Sequence, residues 1–120
     1  MFQSSFFDVQ PLTSGEAVLL AMRKKQLTEE ENLEELERDF VTLTDSFQIR
    51  KIALDMTSVT FMTSAAIGKL ISLHRRLVRS EGRLILCCLQ PDVEGTLSTS
   101  HLLTYFCVAD SSQAASHQLT

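Results

Sequence analysis

The stretch that decides the fold is Phe61-Met62-Thr63-Ser64-Ala65-Ala66-Ile67-Gly68-Lys69-Leu70-Ile71-Ser72-Leu73-His74-Arg75-Arg76-Leu77-Val78-Arg79. It opens on small residues, among them the hydroxyl-bearing Thr63 and Ser64. Such residues are preferred ahead of a helix because their oxygens accept backbone N–H groups that have no partner inside it. Behind them Ile67, Leu70, Ile71, Leu77 and Val78 fall on one side, with Lys69, Ser72, Arg75, Arg76 and Arg79 largely on the other. That spacing predicts an amphipathic helix with one buried face. Glu81-Gly82 ends it, the glycine being expected in the left-handed conformation just past the last turn.

On either side lie two apolar runs. Lys51 to Met56 holds Ile52, Ala53 and Leu54 in unbroken succession, with Asp55 near its end, and predicts a strand covered on both faces. Arg83 to Leu89 continues after its arginine as Leu-Ile-Leu-Cys-Cys-Leu and predicts a second central strand. Strand, helix and strand over this length predict a right-handed parallel crossover unit. Val59, Phe61 and Met62 carry the chain from the first strand onto the helix.

Working outward, Phe6 to Val9 and Ala17 to Met22 are apolar runs separated by Pro11, Ser14 and Gly15, and predict paired antiparallel strands. Arg23, Lys24 and Lys25 leave the second of these toward Thr28 and Glu31, which have capping-box spacing. Leu33, Leu36, Phe40 and Leu43 then predict a helix with one apolar stripe and acidic residues elsewhere. On the C-terminal side, Gln90-Pro91-Asp92 begins a weaker helix anchored by Val93, Leu97, Leu102, Leu103 and Phe106. Cys107-Val108 reads as a short edge strand and Ser111 to His117 as a last small helix. The expected fold class is α/β: a single domain over 1–120, core about 6–116, with a mixed four- to five-stranded sheet flanked by about four helices.

Composition narrows the function. The chain has 120 residues, 44% apolar and 22% charged, the balance of a packed globular domain. A net charge of −4 argues against a nucleic-acid partner, which favours a basic surface, and for a protein partner. The uncharged apolar run Leu84 to Leu89, which no other run exceeds, is far short of the roughly 20 residues that span a bilayer. The N-terminus lacks the basic start of a signal peptide, so a cytoplasmic, non-membrane-spanning protein is expected. Cys87, Cys88 and Cys107 have no metal-ligand spacing, and they read as reduced thiols packing like small hydrophobes.

No catalytic or metal-binding constellation is written in the chain, and neither enzyme activity, a metal nor a cofactor is expected. The glycines Gly15, Gly68, Gly82 and Gly95 are scattered rather than gathered in a phosphate loop. His74, His101 and His117 have no local partners at ligand spacing. Asp55 near Thr63 or Ser64 would be a base beside a nucleophile, but no third orienting group accompanies it. Lys69, Arg75, Arg76 and Arg79 form a basic helix face that could bind a phosphate or an acidic partner but reads foremost as solvated, since no aromatic residue is interleaved with it to stack bases.

The order of elements and the wording of the middle together resemble the STAS domain, the family of bacterial anti-sigma factor antagonists. The resemblance begins at Ile52-Ala53-Leu54-Asp55, passes through Phe61 to Gly68, Leu73 to Leu77 and Gly82-Arg83-Leu84, and ends with Pro91, Val93, Leu97, Leu102 and Phe106. It implies a domain that binds an anti-sigma factor of the histidine-kinase-like ATPase type, or a related ATP-binding kinase, acting as a monomer or weak homodimer. The partner-binding residues it implies are Asp55, Thr63, Ser64, Ala65, Ala66, Ile67 and Lys69. A rim at Glu94 and Gly95 to Ser100 is implied by the same analogy. In such antagonists phosphorylation by the anti-sigma kinase breaks the complex, because a phosphate brings bulk and nearly two negative charges to a close-fitting interface.

The chain departs from the family's wording at the switch. Where the family writes Asp-Ser-Ser-Gly, a gapless alignment places Thr63, Ser64, Ala65 and Ala66, so the phosphoacceptor serine falls on Ala65. A methyl side chain has no oxygen to phosphorylate. Three readings follow: a binder whose off-switch is lost; a binder with Ser64 or Thr63 as alternative phosphoacceptor, one of them otherwise capping the helix; or a scaffold subunit of a stress-signalling complex or accessory subunit of a phospholipid ABC transporter.

Overall fold

Val18 and Leu20, Ile52 and Leu54, and Leu84 and Leu86 join one hydrophobic cluster, while Leu19, Ala53, Ile85 and Cys87, interleaved with them in sequence, join another. A two-residue period produces this division, because successive side chains of a strand point to opposite faces. In the computed structural model, which describes residues 7–12, 17–23, 26–27, 30–102 and 105–119, these residues lie in three neighbouring strands. They are β2 (Ala17–Met22), β4 (Lys51–Asp55) and β6 (Arg83–Cys87), the parallel centre of a five-stranded sheet. β1 (Phe7–Pro11) pairs antiparallel with β2 at one edge, and β7 (Cys107–Ala109) pairs parallel with β6 at the other. The order is β1-β2-β4-β6-β7.

Helices cover both faces. α1 (Glu30–Ser46), α2 (Ser64–Arg79) and α3 (Pro91–Thr99) contribute Leu33, Leu36, Phe40, Leu43, Ala66, Leu70, Leu73, Leu77, Val93 and Leu97 to the larger cluster. Phe40, Leu36, Leu70 and Leu77 are fully buried there, each contributing about 1.5–3 kcal/mol of transfer free energy. α4 (Ser112–Leu119) covers the other face through Ala115 and Leu119. Ala17, Ala53 and Ala109 on that side are small, so a two-turn helix closes over the sheet without a second large layer. The expected α/β class, mixed sheet and four helices are all present.

Several boundaries differ from the sequence reading. The strand expected to run to Leu89 ends at Cys87, because Cys88 takes φ 59°, a left-handed conformation that no ladder continues through. Cys87 and Cys88 therefore are not two alternating residues of one strand. The Cys87 thiol is buried, donates to Leu54 O at 3.4 Å, and is pushed up to about 12, chiefly by that burial and secondarily by the adjoining Cys88. α3 stops at Thr99, leaving Leu102 and Phe106 in the connection to β7, while Leu103 lies outside the described residues. The capping box expected at Thr28 also lies outside them. Finally, Glu81 rather than Gly82 adopts the left-handed conformation after α2, with φ 62°. The chain closes there as a Schellman motif: Glu81 N–H donates to Val78 O at 3.0 Å and Gly82 N–H to Leu77 O at 2.6 Å. Gly82 is required for closeness instead, since a Cβ on it would stand 2.1 Å from Arg50 O.

One element was not expected. β3 (Gln26–Leu27) and β5 (Phe61–Met62) form a separate two-stranded parallel sheet with Gln26 opposite Phe61. Two residues carry no readable period, yet this ladder anchors the chain just before α2.

Candidate functional site

The site expected at the start of α2 is built by three local devices. Thr63 is the N-cap, in extended conformation, and its Oγ1 accepts from Ala66 N–H at 3.2 Å. Its carbonyl accepts from Ile67 N–H at 3.1 Å, the first bond of the helical ladder. β5 fixes the approach, burying Met62 and leaving the neighbouring Phe61 about half exposed at 52%. On the other side Lys69 Nζ donates to Glu37 Oε2 at 2.8 Å, tying α2 to α1, and Arg76 bridges both carboxylate oxygens of Asp45 about two turns further on. Both pairs are part-exposed, so they hold orientation more than they add stability, at about 0–1 kcal/mol each.

The expected residues divide by burial. Ser64 and Ala65 are exposed on the first turn, while Ala66 and Ile67 are buried in the core and seat the turn from below. Thr63 is half-buried with its hydroxyl used by the cap, and Lys69 is half-buried in its ion pair. Asp55 stands at the carboxyl end of β4, level with Ala21 and Cys87 on the flanking strands. It accepts from Thr57 N–H at 2.9 Å and from the Thr57 hydroxyl, fixing the turn after the strand. Gln90 Nε2 donates to Thr57 O, so the residue that begins α3 is bound to the same turn instead of capping its own helix. Asp55 thus acts on the backbone that aims β5 and α2.

The surface extends beyond those residues. A groove of about 600 Å³ runs beside Phe61 and is lined by Thr60, Pro91, Asp92, Gly95, Thr96 and Thr99 among others. Of the rim expected at Glu94 and Gly95 to Ser100, Glu94 to Thr96 and Ser98 to Ser100 are exposed on or just past α3, whereas Leu97 is buried in the core and cannot face a partner. In the sequence Phe61 reads as part of the connection to the helix and of the family resemblance, with no contact role of its own. The signal that singles it out is its pairing with buried Met62 in a two-residue strand, which turns the larger aromatic ring outward. An exposed aromatic ring next to small, exposed helix residues is the kind of surface that anchors a protein partner.

Among the described residues no group of three His, Cys, Asp or Glu is placed to hold a metal ion, and no helix is long and apolar enough to cross a membrane. A family model for the STAS domain matches residues 9–115. The chain belongs to the STAS domain family. The STAS domain is 31% identical over 84 residues to a Bordetella bronchiseptica protein, BtrV, named as an anti-sigma factor antagonist; the match spans 70% of this chain and 72% of that one. Its structure is similar to that of a Thermotoga maritima protein also named as an anti-sigma factor antagonist, with a TM-score of 0.81, 17% identity, and 96% and 95% of the two chains covered. It is similar too to the Bacillus cell fate determinant SpoIIAA in its phosphorylated form, with a TM-score of 0.72, 20% identity, and 95% and 99% covered. At those identities the two structures speak for the fold alone. The family resemblance read from residues 52–106 and the anti-sigma factor antagonist-like STAS fold are both present.

Proposed function

We propose that this STAS domain is an anti-sigma factor antagonist that binds an anti-sigma factor, or a related ATP-binding kinase, through the first turn of α2, and that its phosphorylation switch is absent. The observation that carries the reading is the exposure of Ala65 on that turn, next to exposed Ser64 and above buried Ala66 and Ile67. In the gapless family alignment this is the phosphoacceptor position, and a methyl group there presents nothing to a kinase. Thr63 gives its oxygen to Ala66 N–H, which supports its reading as a cap in place of an alternative acceptor. Phe61 and the outer side of α3 widen the contact.

Such a domain is a fixed binder. An uncharged, small first turn lets a partner approach the positive end of α2 closely, and no modification adds charge to interrupt it. The test is calorimetric titration of the purified chain into an anti-sigma factor of the ATP-binding class, with Ala65→Glu and Phe61→Ser as variants. Binding that both variants weaken supports the reading. Failure to bind any such protein, together with recovery of a membrane transporter ATPase as the stoichiometric partner in a pull-down, would replace it with the accessory-subunit alternative.

A further inference from the structure

The second half of α2 carries another surface. A groove of about 450 Å³ is lined by Ser72, His74, Arg75, Val78, Arg79 and Tyr105. Its centre lies about 15 Å along the helix from Ala65, given ten residues at the helical rise, so a partner seated on the first turn leaves it open.

Its wall is aromatic and fixed. His74, Tyr105 and Phe106 meet edge to face in a closed trio, with ring centroids 5.2, 5.6 and 5.3 Å apart, so Tyr105 is held in place from behind. Tyr105 is nevertheless 40% exposed and Val78, on the helix opposite, 53%. An apolar floor is thus left in water.

Its charge is of one sign. Arg75 and Arg79 are four residues apart on α2, hence neighbours on one helix face, and both are exposed. Arg76 between them is turned the other way, onto Asp45 of α1. No carboxylate is among the described residues lining the groove. The chain as a whole carries a net charge of −4, so this is a local reversal of the molecule's sign.

We infer that this groove is a second docking surface, one that takes an acidic polypeptide segment carrying an apolar side chain between carboxylates. Guanidinium groups bind carboxylates with two parallel hydrogen bonds, and two arginines one turn apart match carboxylates flanking a side chain seated on Val78 and Tyr105. Two arginines are too few for a lipid headgroup surface, which calls for clusters of about 4–8 basic residues. A polyphosphate backbone would also face the repulsion of an acidic molecule. One chain could then hold two proteins at once, the second by charge and a single apolar anchor.

The test is fluorescence anisotropy with a fluorescein-labelled glutamate-rich peptide bearing one central phenylalanine. The native chain, Arg75→Glu/Arg79→Glu, Val78→Ser and, as a control on α4 across the sheet, Gln113→Ala are compared at low and raised salt. Circular dichroism confirms that each variant is folded. Saturable binding that weakens about tenfold or more in the first two variants and with salt, but not in the control, supports the inference. It is overturned by an unbound peptide, by equal binding to Arg75→Glu/Arg79→Glu, or by equal binding of a lysine-rich peptide of the same pattern. It is also overturned if single-stranded DNA or phosphatidylserine vesicles bind better at the same residues, or if sedimentation shows self-association that the arginine variant removes, which would make a second copy the occupant. None of these results bears on the first turn of α2.

Discussion

The hydroxyl of Thr63 accepts the backbone N–H of Ala66, 3.2 Å away, so the residue that opens α2 closes its first turn over Ser64 and Ala65. The two exposed residues are thereby presented on a fixed loop of helix. In Thr63→Ala the N–H loses its partner, and the variant is expected to lose about 1 kcal/mol of stability, with Thr63→Ser close to the native chain. The midpoint of urea unfolding at constant m-value reads this difference.

Ala65→Glu separates folding from binding. α2 has no acidic residue in its first turn, so a carboxylate there meets the positive end of the helix dipole unopposed and should raise stability by about 0.3–1 kcal/mol. The same charge at the contact surface is expected to abolish partner binding. Thermal unfolding and calorimetric titration of the one variant should therefore move in opposite directions.

At the far end of α2, Gly82 and Glu81 have exchanged the roles usual for a helix stop. Gly82→Ala drives a methyl onto Arg50 O, 2.1 Å from where it would stand, and should destabilise by about 1–3 kcal/mol through forced backbone movement. Glu81→Gly relieves a left-handed non-glycine residue and is expected to be neutral or stabilising by up to about 1 kcal/mol. A glycine required for left-handedness at position 82 would predict the reverse order, and chemical denaturation of the two variants distinguishes them.

His74 gives stability a pH dependence. Burial lowers its proton affinity in the folded chain, and its Nδ1 is enclosed without a hydrogen-bond partner. As pH falls, the unfolded chain takes up its proton first, near the ordinary histidine value of about 6.5. The neutral ring's contribution is thus complete above that value and is lost as pH drops through it toward the lower folded value. His74→Phe keeps an aromatic ring beside Tyr105 and Phe106, and unfolding curves between pH 5 and 7 should become flatter in this variant than in the native chain.

Much of this was legible in the residues because burial leaves a strict mark. Ile52-Ala53-Leu54 and Leu84 to Cys87 are apolar at every position, and only strands covered on both faces need that. The alternation Leu36, Phe40, Leu43 likewise fixed the buried side of α1. Where reading failed, the cause was local backbone conformation that side-chain type does not encode: Cys88 and Glu81 lie in the left-handed region without being glycine. Phe61 was missed because a two-residue strand has no period, and its outward turn depends on pairing with Gln26, some 35 residues earlier in the chain. The first turn of α2 was legible from Thr63 and Ser64 ahead of an amphipathic stripe, but only packing separates exposed Ser64 and Ala65 from buried Ala66 and Ile67.

Ala65 as a switch position without a switch is tested most directly by intact mass. The native chain and Ala65→Ser are incubated with ATP, magnesium and the anti-sigma factor kinase that the chain binds, and each is then weighed by mass spectrometry. The native chain is expected to keep its mass while Ala65→Ser gains one phosphate on the new hydroxyl. A phosphate gained by the native chain and mapped to Ser64 or Thr63 would contradict the proposed loss of the switch.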